Sequence, residues 1–440
     1  MGEATESMSV RPFAGYPSRW GWWVTKGSLA MLDQGLISGS NFLLTILLAR
    51  WLAAEQYGAY ALALSIFLLL AEVHNSLVSE PMTVFGPSAH ADHRREYLGA
   101  VLKIEVLLGL AFVAVLGLSA ATAHCLGAPR AFASALAGLT FSAPCVFVMW
   151  IARYAFYVRQ APGSAALGGL LYGTLVLGGT LLVFRNGLLS PFTAFAVTAF
   201  GAVVTALFML VRLGPVLTGK SSPSLKSVWR QHWHYGRWVL GTAAMRWIPG
   251  NILFALTGSL LGMAEVGALR ALMNLPSPLL QAVSSLSNLF QPYIAGIYGK
   301  EGRVGTRGPV NLVSLLYVGG GVLYWILVTG WRRPIWGLLY GGKFLEHTFL
   351  VPWVTLGVLF FVASYGPAIG LRAIQSPSSV FAAYSTSGIV AIASGVAATW
   401  LFGLPGTVAS YILSGATLFV AVTYTFRKKA NTLPAISGHH

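Results

Sequence analysis

The chain alternates long apolar runs with short polar breaks, from near residue 27 almost to its C-terminus. Each run is close to the roughly 20 residues that an α-helix needs to cross the hydrocarbon core of a bilayer. The runs are continuous rather than alternating, which argues against a transmembrane β-barrel. The pattern predicts twelve spanning helices, at 27–50, 57–80, 97–124, 132–157, 163–184, 190–212, 236–258, 264–290, 310–331, 347–370, 379–402 and 406–426.

Composition agrees with this pattern. Of the 440 residues, 56% are hydrophobic and only 9% are charged, whereas a soluble domain carries about a quarter charged residues. The sequence therefore predicts an all-α polytopic membrane protein.

The net charge of +16 would also suit nucleic-acid binding, but its distribution favours another explanation. Most Lys and Arg residues fall in alternate short loops, as the positive-inside rule expects. We therefore expect no nucleic-acid partner, contact with membrane lipids, and both termini in the cytoplasm. The loop at 332–343, with Arg332, Arg333 and Lys343, is the one that argues against this orientation.

A weak internal repeat divides the chain. The stretch 41–65, NFLLTILLARWLAAEQYGAYALALS, has a counterpart at 256–274, LTGSLLGMAEVGALRALMN, and an offset of 209 aligns Gly58 with Gly267. Six helices in each half imply a parallel repeat about a pseudo-two-fold axis along the membrane normal. The predicted parts are a cytoplasmic segment 1–26, an N-lobe 27–213, a basic linker 214–235, a C-lobe 236–426 and a cytoplasmic tail 427–440.

Polar side chains form stripes along several predicted helices. The longest stripe, on the eighth helix, has helical spacing over about five turns and consists of Arg270, Asn274, Ser277, Gln281, Ser284 and Asn288. A shorter stripe on the first helix consists of Gln34, Ser38, Asn41 and Thr45. Such stripes do not face lipid. They line a cavity, the interpretation we favour, or they bond neighbouring helices together.

The charges within the predicted spans differ in sign between the halves. Acids, including Asp33 and Glu72, occur in the first half, whereas the second half has Arg246 and Arg270. Arginine suits phosphate because its planar guanidinium binds two oxygens at once, and buried carboxylates suit coupling to protons or cations.

Three other ionisable residues in the first half carry their own predictions. We expect Arg153 to extend to the headgroups and Glu105 to pair with Lys103 or with a residue of the second helix. We expect His74 to pack or to line the cavity.

The sequence gives little indication that the protein binds a nucleotide or a cofactor. The segment GPVLTGKS at 214–221 matches the phosphate-binding loop pattern, but that mechanism needs a strand before it and a helix after it. Here a membrane helix precedes the segment and Ser222-Pro223 follows it. We expect no cofactor, and any active transport would use a proton or cation gradient.

Three segments resemble one known family. ILLARWLAAEQYGAYALAL, GSLLGMAEVGALRALMNLPSPL and IWGLLYGGKF are similar to parts of polysaccharide and O-antigen flippases, in the multidrug/oligosaccharidyl-lipid/polysaccharide (MOP) exporter superfamily. The resemblance implies two six-helix lobes, alternating access and a cationic cavity in a bacterial cytoplasmic membrane. It also implies an undecaprenyl-pyrophosphate-linked oligosaccharide that moves from the cytoplasmic to the outer leaflet.

Taken together, these features predict a monomeric flippase rather than an enzyme. Arg246 and Arg270 would bind the diphosphate, the amides of Asn41, Asn274, Gln281 and Asn288 would bind the sugars, and Asp33 and Glu72 would couple transport to an ion gradient. Several alternatives stay open. One is a MATE-type cation-coupled drug antiporter, and another is a lipid II flippase, a subfamily that often has two further helices. A different class is a membrane-embedded polysaccharide polymerase or ligase, which would need a sizeable outer loop, and the last is a non-transporting scaffold, against which the charged stripes argue.

Overall fold

The computed structural model describes residues 20–87, 89–217 and 223–431, and within these residues it contains helices and no strand. The helices of the first half are α1 Trp20–Trp51, α2 Ala54–His74, α3 Glu80–Phe85, α4 Arg94–Cys125, α5 Arg130–Val158, α6 Pro162–Arg185 and α7 Pro191–Leu213. Those of the second half are α8 Leu225–Leu260, α9 Met263–Asn274, α10 Ser277–Gly305, α11 Arg307–Gly330, α12 Arg332–Tyr340, α13 Val351–Ala373 and α14 Pro377–Asn431.

The fold is all-α and polytopic, as predicted. Within the described ranges, nine helices are long and apolar enough to cross a membrane, or ten if the bent pair Leu225–Met245 and Trp247–Leu260 is one span. This count differs from twelve partly because α14 contains two predicted helices that meet at Gly403, where φ is 63°. The predicted eighth helix is divided at Pro276 into α9 and α10. The number twelve therefore stays a prediction.

Five helices carry most of the contact between the two halves. Within the first half α5 packs on α7 and α1 on α6, and within the second half α13 packs on α14 and α14 on α8. Across the halves, α2 packs on α9 and α8, and α1 contacts α9 and α12. Helix α1 carries the shorter polar stripe described in the sequence analysis, and α9 carries the start of the longer one.

At one end of the bundle the two halves meet backbone to backbone. This end, which we call the hairpin end, contains the short connections between α1 and α2 and between α8 and α9. A Cβ atom on Gly58 would overlap the carbonyl oxygen of Met263, and one on Gly267 would lie 2.8 Å from the carbonyl oxygen of Ala54. Positions 54 and 263 are themselves 209 apart, so the contact repeats itself under the predicted offset. We call this contact the glycine junction.

Further along, α2 meets α8 through polar groups. The helix continues beyond His74 as a π-helical turn, Asn75–Ser79. Pro81 has no N–H to offer the carbonyl of Leu77, and His232 on α8 donates to that carbonyl from Nδ1 at 3.0 Å. The hydroxyl of Tyr97 on α4 lies 2.8 Å from Nε2 of His232, which accepts its proton in this tautomer. We call this contact the polar junction.

Candidate functional site

A cavity of about 510 Å³ lies between the halves, bounded by α1, α2, α5, α6, α7, α9 and α10. Its wall is mostly apolar, with a limited set of polar side chains from Ser38, Asn41, Thr45, Ser142, Thr198, Arg270, Asn274, Ser277 and Gln281. Its volume is in the range of typical ligand pockets, roughly 300–1,000 Å³. The structure thus brings four predicted binding residues, Asn41, Arg270, Asn274 and Gln281, to one cavity.

Arg270 is the cation of this cavity. Its guanidinium carbon lies 5.6 Å from the ring centroid of Phe254, and its Nε is buried without a hydrogen-bond partner. Among the described residues that line the cavity there is no Asp or Glu, and no ion pair of Arg270 occurs there. A partly buried cation without a counter-ion carries a desolvation cost, so this position favours an anion in the cavity.

The amides of the cavity differ in how firmly they are held. Asn274 is buried, and its Nδ2 donates to the hydroxyl of Tyr57 at 3.0 Å. Asn41 accepts from the Tyr172 hydroxyl at 3.3 Å, and both Asn41 and Gln281 are exposed. Asn274 is therefore fixed beside Arg270, while Asn41 and Gln281 present hydrogen-bonding groups to solvent.

The first part of the long polar stripe, from Arg270 through Gln281, lines the cavity. Ser287, a neighbour of the stripe on α10, instead lies 2.9 Å from the hydroxyl of Tyr317 on α11 and so joins two helices. The side chains of Arg246 and Asn288 lie outside the described residues, so their predicted roles stay predictions.

Asp33 lies in a buried ion pair next to the cavity and is not part of its lining. Its Oδ2 accepts from Nε of Arg153 at 2.7 Å and from the Tyr157 hydroxyl at 2.5 Å. Nη2 of the same guanidinium donates to Gln34 at 2.9 Å. The prediction that Arg153 extends to the headgroups was wrong: it is 6% exposed, because a carboxylate at the same depth binds it. Glu72 is half-buried and also lies outside the cavity lining.

A second buried pair joins α2 to α4. Nε2 of His74 lies 3.0 Å from Oε2 of Glu105, with side-chain exposures of 0% and 1%. This contact confirms that Glu105 pairs with a residue of the second predicted helix. Both residues were visible in the sequence as ionisable groups within spans, but no spacing rule relates positions on different helices.

The hairpin end of the cavity is closed by the segment that precedes α13. Lys343 donates from Nζ to the carbonyl of Leu52 at 2.6 Å, and burial lowers the pKa of this lysine. The hydroxyl of Tyr340 donates to the carbonyl of Ala271 at 2.7 Å. Trp336, in the same segment, is fully buried. The loop predicted at 332–343 is thus a short helix and a cover that bridges the halves.

No family model and no curated protein matches the sequence. The backbone, however, is similar to that of known structures. A multidrug resistance MATE family transporter of the MOP superfamily, in an inward-facing conformation, superposes with a TM-score of 0.75 at 13% identity, over 92% of this chain and 98% of that one. Lipid II flippase MurJ, in an inward closed conformation, gives 0.71 at 12% identity, over 92% and 87%. A MOP superfamily transporter from Pyrococcus furiosus gives 0.68 at 12% identity, over 92% and 95%.

The chain has the fold of the MOP-superfamily transporters. This confirms the predicted fold class, whereas membership of the polysaccharide flippase family stays a prediction. Similarity at this level of identity concerns the backbone, and function depends on the residues of a site. The neighbours include both multidrug transporters and a lipid II flippase, so the backbone alone does not distinguish between these functions.

Proposed function

We propose that this protein is a transporter that flips a polyprenyl-pyrophosphate-linked oligosaccharide across the membrane by alternating access. The observation that carries the proposal is the cation Arg270, which lines a cavity where no described residue contributes a carboxylate. An anionic headgroup would supply the missing counter-ion. A guanidinium binds phosphate oxygens in pairs, which makes arginine well suited to a diphosphate.

The rest of the cavity supports the same cargo. Asn274, held by Tyr57, provides an amide beside Arg270, and the exposed Asn41 and Gln281 offer donors and acceptors that suit sugar hydroxyls. The predicted role of Arg246 in binding the diphosphate, and that of Asn288 in binding the sugars, belong to the same proposal. So does ion coupling through Asp33 and Glu72.

The closed hairpin end supports alternating access. Arg270 lies one turn beyond Gly267 on α9, so the cation stands just inside the seal formed by the glycine junction and Lys343. With the predicted orientation the sealed end is the outer one, and a headgroup would enter from the cytoplasmic side. Release would require the seal to open.

The proposal is tested with the full chain in liposomes that contain a fluorescent polyprenyl diphosphate oligosaccharide. An impermeant quencher reports how much label reaches the outer leaflet. Arg270→Ala should lower the flux about tenfold to a hundredfold, because a hydrogen bond to a charged group contributes about 1.5–3 kcal/mol. Arg270→Lys should retain an intermediate rate, since it keeps the charge and loses the paired geometry.

Arg130→Ala is the matched control. Arg130 is exposed at the start of α5 and is not among the residues that line the cavity, and its loss changes the net charge by the same amount. Its flux should equal that of the unchanged protein. Undiminished flux in Arg270→Ala would overturn the role of this arginine. Export of cationic dyes without movement of the labelled lipid would favour a drug antiporter instead.

A further inference from the structure

The His74–Glu105 pair is a buried ionisable site that the proposed transport step does not use. Oε1 of Glu105 is buried without a hydrogen-bond partner, and Nδ1 of His74 lies 3.4 Å from the hydroxyl of Ser79. The imidazole stacks on Phe147 with 4.5 Å between ring centroids. A histidine and a carboxylate are thus enclosed together, with few other groups to stabilise their charge.

The charge of this pair depends on a single proton. With one proton bound, the pair is an imidazolium facing a carboxylate, or two neutral groups, and its net charge is zero. Without that proton, a neutral imidazole faces a carboxylate, and a net negative charge is buried in an apolar wall. A buried charge without a partner is strongly unfavourable. The packing around the pair is therefore suited to the form that holds one proton.

Other ionisable groups on the neighbouring helices bond to other residues or are exposed. On α4 the neighbouring Lys103 is exposed. On α5 the nearest charge is Arg153, which is bound to Asp33. On α8 His232 bonds Leu77 and Tyr97.

The helix that carries His74 has two further acids, and α9 contributes one cation. Glu80 accepts from the hydroxyl of Tyr235, and Glu72 is half-buried two residues before His74. Arg270 on α9 lines the cavity. Direct contact within ion-pair distance of His74 is made by Glu105.

The position of the pair links it to the second half of the chain. His74 is the last residue of α2 before the π turn. The carbonyl of Leu77, inside that turn, accepts from His232, and a Cβ on Gly236 would overlap the carbonyl oxygen of Ser76. π-helical turns are rare and often mark functional sites. Movement of His74 would therefore be passed through one turn of helix to α8.

The pair also lies next to the cavity wall. The ring of Trp150 is 6.1 Å from that of His74, and Trp150 itself lines the cavity. One layer of aromatic side chains thus separates the ionisable pair from the space proposed for the headgroup.

We propose that His74 and Glu105 form a single-proton site that couples transport to a proton gradient through the π turn and α8. Binding of one proton stabilises the arrangement in which α2 is docked on α8 at the polar junction. Release of the proton leaves a charge that must be hydrated, and this favours separation of α4 from the π turn. The coupling to cargo rests on the proposed function, whereas the proton site itself does not.

The proton site is tested without cargo in the detergent-purified full chain. A protonated imidazole quenches an adjacent indole, so tryptophan fluorescence is recorded as a function of pH. The unchanged protein should show a transition that is absent from His74→Gln and from Trp150→Phe, which removes the reporting ring. Lys103→Gln, on the exposed face of α4, is the matched control and should retain the transition.

The coupling is tested in the liposome assay with an imposed pH gradient. One proton per cargo molecule predicts that each pH unit changes the final distribution of labelled lipid between leaflets by up to about tenfold. In His74→Gln and Glu105→Gln the effect of the gradient should fall by that one-proton contribution, whatever Asp33 and Glu72 add to coupling, while lipid still equilibrates without a gradient.

Each outcome has one meaning. A fluorescence transition that persists in His74→Gln overturns the proton site, and an undiminished gradient effect in either variant overturns the coupling through this pair. If the unchanged protein moves no labelled lipid but its transition depends on His74, the proton site stands and the proposed cargo is wrong. A fold check by thermal denaturation accompanies every variant, and Lys103→Gln separates loss of the pair from general damage.

Discussion

Helix α2 and its π turn meet the second half of the chain at two junctions that differ in chemistry. At the glycine junction, Gly58 and Gly267 let backbones touch without any side chain between them. At the polar junction, His232 bonds the carbonyl of Leu77 and the hydroxyl of Tyr97. Both contacts lie along one continuous helical segment.

The difference separates two mechanical roles. A contact between small residues depends on close approach alone, so it can act as a pivot without exposing unpaired polar groups. A contact made of hydrogen bonds is lost or formed as a unit, because each group left unpaired carries a desolvation cost. The alternating access proposed for this chain would need a point about which the halves turn and a point at which they separate, and α2 provides a candidate for each.

The largest effect is expected at the glycine junction. Gly58→Ala places a methyl group onto the carbonyl oxygen of Met263, so the backbones must part. We expect the free energy of unfolding to fall by about 3 kcal/mol and lipid flux to be lost. Gly267→Ala, whose Cβ would lie 2.8 Å from the carbonyl oxygen of Ala54, should cost less. Thermal denaturation in detergent and the liposome assay measure both effects.

Gly178→Ala on α6 is the control for this series. No atom lies within 4 Å of a Cβ built at Gly178, so helix propensity alone should stabilise the variant, by up to about 1 kcal/mol. Equal destabilisation at all three glycines would show that the junction is not special. It would then remove the basis for a pivot.

An intermediate effect is expected at the polar junction. His232 is fully buried, and His232→Phe leaves the carbonyl of Leu77 and the hydroxyl of Tyr97 without their partner. We expect a loss of about 2 kcal/mol and faster amide hydrogen exchange in the segment 75–80. His234→Phe changes an exposed residue two positions away and should stay within about 0.5 kcal/mol. Unchanged exchange in His232→Phe would argue against a junction that opens as a unit.

The smallest effects are expected when one tyrosine hydroxyl is removed at each junction. Tyr57→Phe removes the acceptor of Asn274, and Tyr97→Phe removes the bond to His232. Each should cost about 1 kcal/mol. We expect faster exchange at the π turn in Tyr97→Phe and a lower lipid flux in Tyr57→Phe, because Asn274 lines the cavity. If the two variants have the same effects, the junctions are not independent.

Much of the fold can be predicted from the sequence, because the length of apolar runs and a repeat at a fixed offset are both visible without knowledge of the contacts. The offset of 209 aligned Gly58 with Gly267 as equivalent positions, and the structure places these two glycines in contact. The polar spacing on the predicted eighth helix found Arg270, Asn274 and Gln281, which line the cavity together. These predictions required only helical geometry and a register.

Other features depend on contacts between distant positions. Asp33 and Arg153 are on different helices, and nothing in the spacing of either helix relates them, so Arg153 was assigned to the headgroups. The π turn depends on Pro81, which leaves the carbonyl of Leu77 without its helical donor, and on His232 of α8, which donates to that carbonyl. The sequence predicts a loop where the structure has the cover over the hairpin end, because the helix Arg332–Tyr340 is too short to give a clear period.

The bond from Lys343 to Leu52 ends on a main-chain carbonyl. Any amino acid at position 52 presents the same oxygen, so substitutions there leave the acceptor in place. Statistical methods that look for correlated substitutions would find no partner for Lys343, although it bridges the two halves. The contact between this cover and the first half can thus be mapped by altering Lys343, by cross-linking or by hydrogen exchange, but not by comparing related sequences.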